Sequence, residues 1–149
     1  MINSLLLLAL FVYVGPKPGE LSVHIPNSTA VDYVRMIARD KGYNVNDKDL
    51  FSVDALGTEE RPFLKGYTSL AFYGNGQINI GVSINNRTGQ AIDAVTCQIF
   101  DYPDLQPFQN ELMRVTKTPK MSPQQLADDA GCDNPEVLTK PVPVDGIVP

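Results

Sequence analysis

The chain has 149 residues, 12 Lys+Arg against 17 Asp+Glu for a formal net charge of −5, and an apolar fraction of 43%. That length and composition fit one ordinary hydrophobic core and exclude a chain disordered throughout. Two Cys are too few for a disulfide-dense miniprotein, and an acidic balance does not supply the clustered Lys/Arg needed to grip nucleic acid or anionic lipid broadly.

Residues 5–14 read Leu-Leu-Leu-Leu-Ala-Leu-Phe-Val-Tyr-Val. A membrane span needs about 20 apolar residues, whereas a run of this length matches the apolar region of a secretory signal peptide. Gly15 and Pro16 close the run. Met1–Ser4 has no Lys or Arg and no small-x-small cleavage site follows, so two other readings stand beside export. One is a buried element of the mature fold, the other an uncleaved interfacial anchor. The expected organisation is a signal peptide or apolar lead-in over 1–19, a single domain over 20–132, and a Pro-rich extended tail over 133–149. Export implies an extracytoplasmic chain, periplasmic or secreted, with no stable membrane span after cleavage. In that compartment the even Cys count predicts one bridge, Cys97–Cys132.

Leu21, Val23 and Ile25 alternate with Ser22 and His24, the period of a short half-buried strand that Pro26 would end or hold at an edge. Ser28 or Thr29 is placed to cap a helix over 29–41, with Val31, Val34, Ile37 and Ala38 on one face and Gly42 at its C-terminal stop. Residues 43–62 are polar and irregular, with a short helix expected near 47–56. The strongest pattern is 64–101. Residues 64–73 are rich in aromatic and β-favouring side chains, and Gly74-Asn75-Gly76 is a tight turn. Ile78, Ile80, Val82 and Ile84 then alternate with polar or small residues through 85, and Asn85-Asn86-Arg87-Thr88-Gly89 is a second turn. A third strand is expected over 90–101, with Val95, Cys97 and Ile99 on one face. The polar face of the middle strand is expected to meet water.

Leu105, Phe108, Leu112 and Val115 place an amphipathic helix over about 104–116. Ser122, Pro123 and Gln125 have the spacing of a capping box with proline at the first helical position, and that helix should end before Gly131. The predicted fold is α+β: an antiparallel meander of three strands, four if 20–25 joins it, packed against two or three helices.

No catalytic signature accompanies this pattern. His24 is the only His, and Cys97 lies in no sequence context that marks a nucleophile. There is no Gly-x-Ser-x-Gly elbow, no Walker loop and no Cys/His set for zinc. Asn44, Asn46, Asp47 and Asp49 cluster like calcium ligands, but Lys48 interrupts them and the central glycine is missing, so they read as a solvated loop. No cofactor and no metal is therefore expected. The candidate partner-binding residues are Tyr67 and Tyr73 on one strand face, with Asn75, Asn79 and Asn86 from the neighbouring strand and turns; tyrosine offers apolar area with a polar handle. The acidic balance suits a protein partner with a basic surface. The reading is a small exported, non-enzymatic domain that acts by protein binding, in an inhibitor, immunity-type or envelope-accessory role. The alternatives are a small enzyme using Cys97 or His24, and a structural component tethered to a membrane by residues 5–14.

Overall fold

The computed structural model describes residues 21–46, 50–52, 64–74 and 77–139; the apolar run 5–14 and the last ten residues lie outside them. The fold is α+β. A six-stranded sheet follows the order of the chain: β1 (Leu50–Ser52), β2 (Tyr67–Gly74), β3 (Gln77–Asn85), β4 (Ala91–Asp93), β5 (Gln98–Phe100) and β6 (Glu136–Leu138). Neighbouring strands are antiparallel except β5 and β6, which run parallel. The helices are α1 (Asn27–Asp40), α2 (Gln106–Thr116), entered through the 3-10 turn Pro103–Leu105, and α3 (Pro123–Ala130). Among the described residues no helix is long and apolar enough to cross a membrane.

The period-two run of β3 explains the sheet's two faces. Leu70, Phe72, Ile80, Val82, Ile84, Ala91 and Phe100 point to one side and form the main core with α1, through Ala30, Tyr33, Val34, Ile37 and Ala38. Those helical positions recur every three or four residues, as one buried helix stripe requires. Leu105, Phe108 and Leu112 bring α2 against the same cluster. The other face carries a second cluster: Tyr67, Ile92, Ile99, Leu126, Ala127 and Cys132, which seats α3.

That second cluster changes the fate of the polar face of β3. Ser83 and Asn85 are buried, not wet, and Asn85 is only 1% exposed. Their hydrogen bonds are met inside. Ser83 shares an Oγ···Oγ bond of 2.7 Å with Ser69 on β2. Asn85 Oδ1 accepts from the backbone N–H groups of Arg87 and Thr88, closing the β3–β4 turn. A buried polar group is tolerated when its partners are supplied in this way.

Helix boundaries follow local chemistry. Gly42 takes a φ of 87°, and the Tyr43 N–H reaches Ala38 O across the end of α1, a Schellman stop. The N-terminus of α1 differs from the expected cap: the helix starts at Asn27 after Pro26, with no side-chain cap from Ser28 or Thr29. In α3, Ser122 Oγ accepts from Gln125 N–H while Gln125 Oε1 accepts from Ser122 N–H, the full capping box.

Further expectations are corrected. The sheet has six strands where three or four were expected. Residues 50–52 form β1 where a helix over 47–56 was expected. Residues 21–25 form no strand; Val23 N–H bonds Asn86 O, and Ile25 is buried under α1. The expected third strand over 90–101 is two short strands, β4 and β5, with a tight loop between them. The start of the Pro-rich tail is the sixth strand, β6.

Candidate protein-binding surface

The loop that splits 90–101 is built by Asp93. Its buried Oδ1 accepts from Val95 N–H at 2.8 Å and Thr96 N–H at 3.2 Å, and its backbone O accepts from Cys97 N–H at 2.7 Å. An aspartate folding the chain back on itself in this way offers the backbone a turn in place of a ladder. Cys97 completes the loop in the left-handed region, at φ 64°, a conformation disfavoured for any residue with a Cβ. A disulfide holds it there: Cys97 is bonded to Cys132 with a Cα–Cα distance of 5.9 Å. Val95, expected on a sheet face with Cys97 and Ile99, stands instead at the loop tip and is 54% exposed.

The same bridge delivers β6. Past Cys132 the chain turns and Glu136 N–H bonds Cys97 O at 3.0 Å, after which Asp101 N–H bonds Leu138 O at 2.8 Å. Val137, between them, is 38% exposed at the end of the sheet. The segment 128–136 carries Asp128, Asp129, Asp133 and Glu136 and no Lys or Arg. All four carboxylate residues are exposed. Glu136 Oε1 accepts from Gln98 Nε2, and Lys41 reaches Gln98 Oε1 from α1. The chain thus carries carboxylates from the end of α3, past the disulfide, to the start of β6, an acidic and partly apolar rim.

A second concavity lies between α1 and α2, a groove of about 540 Å³ lined by Tyr33, Met36, Leu105 and Phe108 with Asp32, Arg35, Arg39 and Asp104 around them. Its charged residues are two Asp and two Arg.

The five residues singled out from the sequence are only partly brought together. Tyr67 is buried in the second cluster, and its hydroxyl donates to Asp129 Oδ2 at 2.8 Å. Burial, with the Asp129 carboxylate beside it, raises its pKa above the ordinary tyrosine value. It therefore stays neutral and holds the acidic end of α3 against β2. Asn86 sits in the β3–β4 turn, where its Oδ1 accepts from Thr68 Oγ1 at 2.7 Å. Tyr73 and Asn79 lie where β2 and β3 slip register, Tyr73 pairing with Ile78, and their side chains are outside the described residues. Asn75 is outside them altogether. His24 is exposed, and Cys97 is held in the disulfide, which removes the free thiol a cysteine nucleophile needs. Val137 was not found from the sequence because a three-residue strand carries too little periodicity, and Val95 was not found as a loop tip because the strand-like run 90–101 hid the turn at Asp93. The signal for that turn was an aspartate inside a presumed strand.

The fold has a solved counterpart. It matches a chain of a structure described as a type VI secretion system effector-immunity complex from Pseudomonas protegens, with a TM-score of 0.53 and 19% identity over 74% of this chain and 91% of that one. At that identity the likeness is one of fold. No protein-family model and no curated protein matches the chain.

Proposed function

We propose that this chain is an extracytoplasmic, non-enzymatic binding domain of the immunity type, one that neutralises a protein partner by stoichiometric association. The observation that carries the reading is the fold it shares with a component of an effector-immunity complex, over nearly all of that component's length. The disulfide supports the compartment, since structural disulfides persist in oxidising environments. The acidic rim beside the disulfide supports a protein partner, since complementary charge speeds encounter and rejects wrong partners. Tyr67, Tyr73, Asn75, Asn79 and Asn86 remain part of the proposal as candidate partner-binding residues; Tyr67 contributes by holding Asp129.

The test is affinity capture with the oxidised chain from its source cells, then calorimetric titration of the purified captured protein. The reading expects saturable one-to-one binding that weakens with salt. Failure of every captured protein to bind once purified would overturn it.

A further inference from the structure

We infer that β6 is the docking edge, and that its occupant is an extended strand of a protein partner carrying Lys or Arg around one small apolar side chain. This rests on the proposed binding role and names its surface.

The backbone gives the first argument. In the parallel β5–β6 pair, Glu136 donates inward to Cys97 O and Leu138 accepts inward from Asp101 N–H. Backbone groups alternate sides along a strand, so the N–H and C=O of Val137 turn away from β5. β6 is the last strand of the sheet, and Val137 is accessible there. An edge of this kind is a template for a further strand, whose main chain supplies affinity and whose alternate side chains supply specificity.

Charge gives the second. The residues leading into β6 bring Asp133 and Glu136 to its start, beyond Asp128 and Asp129 at the end of α3. Two cations are described near this strand, and both are engaged: Lys41 donates to Gln98 Oε1, and Lys120, which lines the cavity beside Val137, pairs with Asp101. An acidic strand would meet repulsion here and a basic one attraction.

Shape gives the third. A cavity of about 90 Å³ opens beside Val137, lined by Ile99, Met121, Pro123, Leu126 and Gln109 among others. Gln109 is buried, and its Oε1 has no hydrogen-bond partner. A strand laid along β6 sets one side chain next to Val137 on this face, within reach of the cavity. That volume suits a small aliphatic side chain.

The test uses the full oxidised chain, with an acetylated alternating Lys-Val pentapeptide as probe and a Glu-Val pentapeptide as control, read by amide hydrogen exchange and chemical-shift mapping. The Lys-Val peptide is expected to bind saturably and to slow exchange of the Val137 N–H at least tenfold, with no effect from the Glu-Val peptide. Val137→Pro removes the outward N–H while leaving the inward bonds of Glu136 and Leu138, and should abolish that binding. Asp133→Lys with Glu136→Lys should weaken it about tenfold at low salt. Shifts centred elsewhere, no binding, or equal binding of both peptides would overturn the proposal. So would a Val137 N–H already protected in the free chain, which would mean that residues 140–149 or a second copy cover the edge. None of these results touches the binding role itself, which stands or falls on the complex with the captured partner. A complex unaffected by Val137→Pro would place that partner on another surface.

Discussion

Replacing both Cys97 and Cys132 by Ala removes the closure of a loop with a sequence separation of 35 residues. In the chain-entropy treatment a loop of that length stabilises the fold by about 3.8 kcal/mol at 25 °C. Loss of the buried Cys132 sulfur from the cluster with Leu126 and Ile92 adds on the order of 1 kcal/mol. The expected total, about 4–5 kcal/mol, is a large part of the roughly 5–15 kcal/mol that holds a domain together. A second variant separates the bridge from the backbone it constrains. Cys97 sits at φ 64°, where an alanine costs about 1–2 kcal/mol and a glycine almost nothing. Glycine gives back about 0.4–1 kcal/mol through the freedom of the unfolded chain. With Cys132→Ala in both, Cys97→Gly should therefore be the more stable form by about 0.5–1 kcal/mol. Urea denaturation followed by circular dichroism measures both quantities. Coincident midpoints for parent and double-alanine chains would refute the loop-closure argument. A glycine form less stable than the alanine form would refute the left-handed backbone at 97.

Leu126 is fully buried between α3 and the sheet, so Leu126→Ala should cost about 2–5 kcal/mol and loosen the acidic rim, seen as faster amide exchange across α3. Ser122→Ala removes one half of a complete capping box and should cost about 1 kcal/mol in a urea titration; no change would mean that the cap is redundant. Gly89 has a φ of 76°, and a Cβ there would lie 3.3 Å from the Gln109 backbone and Phe108 ring, so Gly89→Ala should lower stability by roughly 1–3 kcal/mol. Burial, the largest cause for each, raises the pKa of Tyr33, Tyr67 and Tyr102; Asp129 beside Tyr67 and Asp40 beside Tyr102 add to it. These groups are neutral in the fold, while unfolded tyrosine ionises near pH ~10. Their contribution is whole below that pH and declines as pH rises above it, so the urea midpoint should fall between about pH 9 and pH 11.

The parts of the fold legible in the sequence are those where a local rule and the tertiary contact agree. The alternation through Ile80, Val82 and Ile84 placed β3, and Ser122-Pro123-x-Gln125 placed α3 to the residue. Gly42 and Gly131 stand at helix ends in left-handed conformations, where sequence reasoning put them. What was hidden was settled by one side chain or by distant pairing. Asp93 turns a strand-like run into a hairpin through two hydrogen bonds from its own loop. The strand 136–138 is three residues long, follows a proline, and exists through its pairing with β5 beyond the disulfide. Three residues carry too little periodicity to declare themselves. The rim was hidden for the same reason: its charges were visible, but their place beside a sheet edge depended on the bridge and the hairpin. Ser83 and Asn85 show the converse, since alternation identified their face correctly but could not show that α3 covers it.

Growth of a bacterial host that exports the oxidised chain, alone and together with the captured partner, tests the account most directly. The account predicts normal growth with the chain alone, and relief of any growth arrest that the partner causes by itself. Growth arrest by the chain alone would contradict it, because the chain would then be the acting component of the pair and not the neutralising one.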